Sequence, residues 1–576
     1  MLKLLRYLRE EAAICAIIAP LMMIVEVSMD LIQPKLMADI IDIGIANQDV
    51  SYVILIGGEM ILAAFIGLIG GIGNSIFCSI AAMKMGGKLR QGLFDKIQTL
   101  TFLEIDKLTP SSLITRLTND ISQVQNMVLM VLRGAFRSPL ICLGGIIMAI
   151  ALCPELAMVF LVAIPVIIIA LIIILKKSFP LFTVLQGKMD RINAVMRESI
   201  LGVRVIKAFT LEERHIEKFG KENCDLMNKG VEAQNMSMIL WPIVTLVMNM
   251  SVIAVIWIGG NMANDGTLAI GKVMAFVNYL IQIMSSFIMV VMLGLNFSRS
   301  KVSADRINEV LQTVPSIQDN DSSVGMRCFD VEFKNVSFKY NEHSENVLTD
   351  ISLKIKEGEK VGIIGGTGSG KSSLVNLIPR LYDATEGQVF IGGIDVKKLK
   401  LKELRENIGL ILQESIIFSG TIEDNLKFGD QNANRVAIDC AVRDAQAFEF
   451  IMEKEHMYQS VVEQRGKNFS GGQKQRISIA RTLIRNPKIL IMDDSFSALD
   501  MATEAKLQSA LKARIANCTV VMIAQRISVV MDADKIIVLD NGKISAIGTH
   551  KELLRDSELY RKIAVFQLGE EVLLLG

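Results

Sequence analysis

The chain has 576 residues, 51% of them hydrophobic, with 61 Lys and Arg set against 60 Asp and Glu. A mean hydropathy of +0.42 is too apolar for an ordinary soluble enzyme and implies a membrane domain. The near-zero net charge excludes the electrostatic footprint of a nucleic-acid binder, and the eight Cys, with no C-x-x-C pair, read as reduced structural thiols.

In chain order, "MLKLLRYLREEAAICAIIAPLMMIVEV" has a basic start and an apolar run, with no small-residue cleavage site after it, so it reads as a first membrane helix that is kept. A bilayer core of about 30 Å needs roughly 20 mostly apolar helical residues. Six stretches reach that length, near 13–34, 52–82, 127–152, 155–176, 236–260 and 271–297, with only "CPE" between the third and fourth. Glu26 lies inside the first. A carboxylate at that depth either faces a cavity or bonds across helices, and both readings stand. Asp39 and Asp42, in "KLMADIIDIG", are read either as a gate holding the outer side closed or as solvated loop acids. Trp241 and Trp257 lie roughly 24 Å apart along a helix, which fits the two interfaces of one span or two core positions.

With a cytoplasmic N-terminus, the inner loops carry Lys84, Lys88, Arg90, Lys96, Lys107 and Arg116, then Lys188, Arg191, Arg197, Arg204, Lys207 and Arg214, whereas the outer loops hold little beyond Lys35 and Lys272. This positive-inside asymmetry predicts a multi-pass protein of a cell membrane, plasma or inner, with both termini cytoplasmic. The long inner segments 83–126 and 177–235 are of mixed polarity and largely free of Gly and Pro, so they read as helical stalks. A short cytoplasmic helix is expected in "TPSSLITRLTND" (109–120), where Pro110 and Ser111 break one helix and cap the next, and another in "GVRVIKAFTLEE" (202–213).

From about 329 short strands alternate with helices, the grammar of a parallel α/β sheet with an antiparallel portion. The expected division is a membrane domain over 1–300, a linker over 301–328 and a nucleotide-binding domain over 329–576. The fold class is an all-α, six-helix transmembrane domain joined to an α/β P-loop domain.

The second half carries the chemistry. "GGTGSGKSS" (365–373) follows the strand "VGIIG" and opens a helix, as a P-loop requires. Gly365 and Gly370 let the backbone curl so that the N–H groups of Gly366, Thr367, Gly368, Ser369, Gly370, Lys371, Ser372 and Ser373 face a polyphosphate. Lys371 reaches the β and γ phosphates, and Ser372 offers a hydroxyl to Mg²⁺. In "ILIMDDSFSALD" (489–500), Asp493 ends a strand where a Mg-nucleotide needs a carboxylate, and Asp494 sits where a general base would act on the attacking water. Ser470 precedes Gly471, Gly472, Gln473 and a helix, presenting a hydroxyl and free N–H groups at a positive helix terminus.

In this order the motifs resemble those of ATP-binding cassette (ABC) exporter half-transporters over essentially the whole chain. The resemblance implies ATP and Mg²⁺ as ligands. It also implies that Tyr340, in "VSFKY", stacks on adenine, that Gln413, in "LILQES", links Mg²⁺ to the membrane domain, that "FSGGQ" (469–473) is the signature closing over nucleotide held by a partner chain, and that 497–500 is the D-loop. The two short cytoplasmic helices resemble coupling helices. The metal set implied is Ser372, Gln413 and Asp493.

Two positions depart from the family pattern. Asp494 stands where hydrolysing members have Glu, and Gln525, in "MIAQRIS", where they have His. The first shortens the acid by one methylene, and misplacement by about 1 Å can cost roughly 10²-fold in rate. The second removes a group able to carry positive charge. With the signature intact, the pair predicts a heterodimer in which this chain's own site binds ATP and turns it over slowly, while Ser470, Gly471 and Gly472 complete the site of a partner half-transporter carrying the Glu and His. The 31 Met, many in the spans, together with Phe, suggest a cavity with few fixed charges suited to amphiphilic drugs or membrane lipids. Alternatives are a homodimeric lipid flippase and an ATP-gated channel.

Overall fold

The computed structural model describes residues 2–8, 11–319, 325–341, 344–497 and 499–569. Ala498, within the expected D-loop, and residues 320–324 of the expected linker lie outside the described residues. The chain divides into two compact units, one of Met1–Gln98 with Ser111–Gln312, the other of Thr99–Pro110 with Thr313–Gly576.

The first unit is all-α. Its apolar helices are Glu11–Ile45, Val50–Gln98, Pro110–Leu152, Pro154–Leu201, Glu212–Asn264 and a sixth running from Ile270 to Gln312. Every stretch expected from hydropathy lies in one of them. The 49-residue helix Val50–Gln98 is roughly 73 Å long at 1.5 Å per residue, more than twice the thickness of a bilayer core, so the inner segments continue the spans as stalks. Between the third and fourth helices a single residue, Cys153, turns the chain (φ −161°, ψ 104°), and Pro154, which has no N–H to leave unbonded, starts the next helix. The first two helices pack backbone to backbone. A Cβ on Gly70 would lie 2.9 Å from both the Glu26 nitrogen and the Met22 carbonyl oxygen, so only glycine permits this approach. Trp241 and Trp257 are 64% and 73% exposed on their helix, which rules out the core reading and fits an interfacial one.

One short helix is not where the sequence suggested. Pro110 does not cap a separate short helix. It begins the long run to Leu152, and the short helix is Phe102–Leu108, just upstream. Thr101 and Glu104 supply its capping box, and Thr109, at φ +58°, ends it. Those residues, not Pro110 and Ser111, carry the cap. The second short helix, Val203–Ala208, falls within 202–213 as expected.

The second unit holds two main sheets. In the six-stranded one the order is Lys543–Gly548, Lys535–Asp540, Lys360–Gly365, Thr519–Ile523, Ile489–Asp493 and Ile408–Ile411, with only the first strand antiparallel. A four-stranded antiparallel sheet contains Leu348–Ile355, Val331–Phe338, Glu386–Ile391 and Ile394–Asp395. Ile489–Asp493 is buried along its whole length, as a central strand reading "ILIMD" should be. The register sets Ile523 beside both Asp493 and Ile363, so three strands end together at one edge. All eight cysteines are free.

Candidate functional site

At that edge the glycine loop leaves Lys360–Gly365 and enters the helix Lys371–Asn376. Gly366, Thr367 and Gly368 are exposed. Gly370 sits at φ +92°, where a Cβ would come within 2.8 Å of Leu348 and 2.9 Å of the Val347 carbonyl. Lys371 folds back over the loop, its Nζ donating to the carbonyls of Gly366 (2.7 Å) and Gly365 (3.0 Å). Burial lowers its pKa against the opposing pull of Asp493 and Asp494. The Ser369 hydroxyl is buried without a hydrogen-bond partner among the described residues. The Ser372 hydroxyl donates to Asp493 Oδ1 at 3.1 Å, and Ser373 shares a 2.9 Å hydrogen bond with the Tyr340 hydroxyl.

Asp493 and Asp494 are both buried. Burial raises the Asp493 pKa and the neighbouring Asp494 adds to the rise, while Ser372 and Lys371 oppose it. Asp494 is held in the left-handed region at φ +48° by an N–H bond to the Ile523 carbonyl. Its Oδ2 accepts from Gln525 Nε2 at 2.8 Å and from Gln413 Nε2 at 3.4 Å. The two departures found in the sequence therefore bond to each other, and Gln413 converges on the same oxygen.

The 470–473 segment is a separate feature. Ser470 caps the 14-residue helix Gly471–Ile484, its Oγ accepting from the Gln473 N–H at 3.3 Å while Gln473 Oε1 accepts from the Ser470 N–H at 3.1 Å. Ser470 and Gly471 are exposed, Gly472 partly so, and among the described residues no hydrogen bond joins this segment to the P-loop. Within one chain the signature thus faces outward.

Sequence reasoning missed the residues that brace Gln525. Gln567, on the helix Glu558–Leu568, accepts from the Ile527 N–H at 2.8 Å and donates to the Gln525 carbonyl at 2.7 Å. Arg526, between them, pairs with the buried Glu504 at 3.0 Å. No motif in the sequence marks either partner. Tyr340 sits in an aromatic cluster, edge-on to Tyr382 at 5.3 Å and to Phe338 at 4.8 Å.

In the first unit, Glu26 and Asp30 each lie 3.1 Å from Arg137 Nη2. They line a cavity of about 1040 Å³ that also admits Arg133, Asn74, Gln123 and Gln282. This charged lining differs from the expected Met- and Phe-lined cavity of few fixed charges, whereas a smaller pocket of about 320 Å³, lined among others by Met238, Trp241 and Phe287, has no ionisable side chain in its described lining. Among the described residues the wall of the larger cavity holds Met130 and Met289 but no Phe, and four ionisable side chains. The signal was legible: Arg133 and Arg137 fall inside the apolar stretch 127–152, where a charge costs about 2.5–3.5 kcal/mol at the helix centre unless it has a function or a partner. At the other end of the first helix, Asp42 Oδ1 accepts from the Gly271 N–H at 2.6 Å and so caps the start of the sixth helix, while Asp39 ends the α-helical part of the first helix.

Comparison with known proteins agrees with both halves. Residues 16–287 match the family model of the ABC transporter transmembrane region, and residues 348–497 match the family model described as ABC transporter. The chain is 39% identical over 571 residues to the uncharacterized ABC transporter ATP-binding protein YfiB of Bacillus subtilis, covering 99% of each chain. It is 32% identical to a second Bacillus subtilis protein, YgaD, provisionally named a multidrug export ATP-binding/permease protein, over 85% of each. A solved bacterial Atm1-family ABC exporter with ATP bound shares the fold at a TM-score of 0.81 and 24% identity, over 97% of this chain and 98% of that one.

Proposed function

The chain belongs to the ABC transporter family as an exporter half-transporter, with membrane and ATP-binding domains on one polypeptide, and from that premise we propose that it is the slow-site subunit of a heterodimeric exporter. The observation that carries the reading is the 2.8 Å hydrogen bond from Gln525 to Asp494. A general base must present a free lone pair to the attacking water. Here the shortened carboxylate has two amide donors on one oxygen, from Gln525 and Gln413, and the amide that replaces the switch imidazole is turned toward the acid. Neither residue carries a charge that would stabilise the phosphoryl group in flight.

The loop fits a nucleotide nonetheless. Gly368 and Gly370 adopt positive φ, Lys371 lies over the loop carbonyls, and the Ser369 hydroxyl is buried and unpartnered among the described residues. Ser372 and Asp493 form the two-oxygen set suited to a Mg²⁺ that takes its remaining ligands from phosphate and water. Bound ATP would supply the free energy that joins two nucleotide domains. Ser470 and Gly471, exposed, and Gly472, partly so, have no hydrogen bond to their own P-loop among the described residues and are then available to close a partner's site.

We read the cargo as an amphiphile moved outward, in keeping with the name of YgaD. The test is ATPase activity of the purified chain alone and together with a candidate partner half-transporter that carries the Glu and His. Slow turnover alone and fast turnover in the pair is the expected result. Vigorous turnover by the chain alone overturns the heterodimer.

A further inference from the structure

We infer that the membrane cavity selects a zwitterionic substrate, an amphiphile bearing one anionic oxygen group and one cationic group, with Arg133 as the anion's contact. This rests on the exporter reading and concerns its substrate class.

The cavity's four ionisable side chains are unequally paired. Arg137 is shared between Glu26 and Asp30, each at 3.1 Å, which leaves that cluster with one guanidinium for two carboxylates. Arg133, one turn away on the same helix, is exposed and has no ion-pair partner among the described residues. The wall therefore offers an uncompensated cation beside a cluster with an excess carboxylate. Arg133 is carried on a π-helical turn, Val131–Ala135, together with Gly134, and such turns inside regular helices are frequent at functional sites.

The carboxylate cluster is also short of bonds. Among the described residues Arg137 Nε and Gln282 Oε1 are both buried without a hydrogen-bond partner, although Gln282 Nε2 already reaches the Asp30 carbonyl at 3.5 Å. A buried donor and a buried acceptor left open in one wall cost free energy unless a polar guest or a rearrangement satisfies them. A purely apolar compound satisfies neither, and a singly cationic one meets the acceptor and the excess carboxylate but leaves Arg133 bare, whereas a zwitterion meets both charges at once.

The test uses rhodamine B and its ethyl ester, which share the cationic ring system and differ in whether the carboxylate is free. Binding to the purified, nucleotide-free transporter is followed by fluorescence anisotropy. Rhodamine B should bind about tenfold more tightly than the ester, a difference of about 1.4 kcal/mol. Arg133→Gln should abolish that preference and Arg133→Lys should keep part of it. Equal or tighter binding of the ester, or a preference unchanged in Arg133→Gln, overturns the inference. The dye comparison on the unaltered protein stands even if a variant fails to fold. A short-chain phosphatidylethanolamine that displaces rhodamine B identifies a lipid zwitterion, and a failure to displace it identifies a soluble one. Because no ATP is turned over, a failure here leaves the ATPase test of the heterodimer untouched, and the reverse also holds.

Discussion

The Tyr382 hydroxyl donates to the Asp106 carboxylate at 3.0 Å, tying the short helix Phe102–Leu108 to the aromatic cluster that holds Tyr340. Tyr382 also packs against Phe102, with ring centroids 6.1 Å apart. Burial raises its pKa, and acceptance by Asp106 raises it further, so it remains a donor at any physiological pH.

From this contact, Tyr382→Phe removes one hydrogen bond while keeping the rings and should cost roughly 1 kcal/mol of stability. Tyr382→Ala, which also removes the ring contacts, should cost more and lower transport per ATP hydrolysed. Thermal unfolding and paired transport and ATPase measurements in proteoliposomes check both outcomes. Equal coupling in Tyr382→Ala and the unaltered protein counts against a role in transmission.

Restoring the family residues should restore chemistry. Asp494→Glu combined with Gln525→His should raise the ATPase rate of the chain alone by on the order of 10²-fold, the span that a well-placed acid–base pair contributes. Each single change should give far less, because Asp494→Glu leaves Gln525 on the acid and Gln525→His leaves the acid short. A steady-state phosphate-release assay on the four proteins reads this directly.

Gln567 spans the switch residue by bonding to the backbone on both sides of Arg526. Gln567→Ala should release Gln525 from Asp494 and shorten the time for which ATP stays trapped at this chain's own site. Two lost hydrogen bonds are worth about 1–3 kcal/mol. Filter-binding of labelled ATP after dilution measures the dwell time. An unchanged dwell time would show that the brace does not matter for retention.

Glu104 answers to pH. It is buried, which raises its pKa, but it accepts from the Thr101 hydroxyl and N–H and from the Ser316 N–H, and these bonds outweigh burial and hold it below the ordinary 4.5. A depressed folded pKa gives stability that is present above the unfolded value and lost as pH falls through the folded one. Glu104→Gln should therefore lower Tm at about pH 7, and the gap from the unaltered protein should shrink from about pH 5 downward. Thermal shift scans across that range decide it.

Glu104 also shows where reading the sequence fell short. Pro110 and Ser111 look like a helix start, and a helix does start there. Which of two adjacent helices is the short one depended on Thr101 and Glu104, whose capping box reaches across to Ser316, 212 residues away. In the cavity the reverse happened. Arg133 and Arg137 were visible as charges in an apolar stretch, yet the abundance of Met outweighed them.

The sequence by itself determined the six spans, the P-loop, the paired aspartates and the two departures at Asp494 and Gln525. These depend on hydrophobic length and on local spacing, both properties of a linear chain. Only the tertiary structure decided that the two departures touch, because the parallel register setting Ile523 beside Asp493 brings together residues 31 positions apart. It likewise decided that Gln567 braces the switch and that Arg137 is shared while Arg133 has no ion-pair partner among the described residues. Hydrogen bonds and ion pairs form over about 3 Å, and no spacing along the chain fixes a distance that short between elements far apart in it.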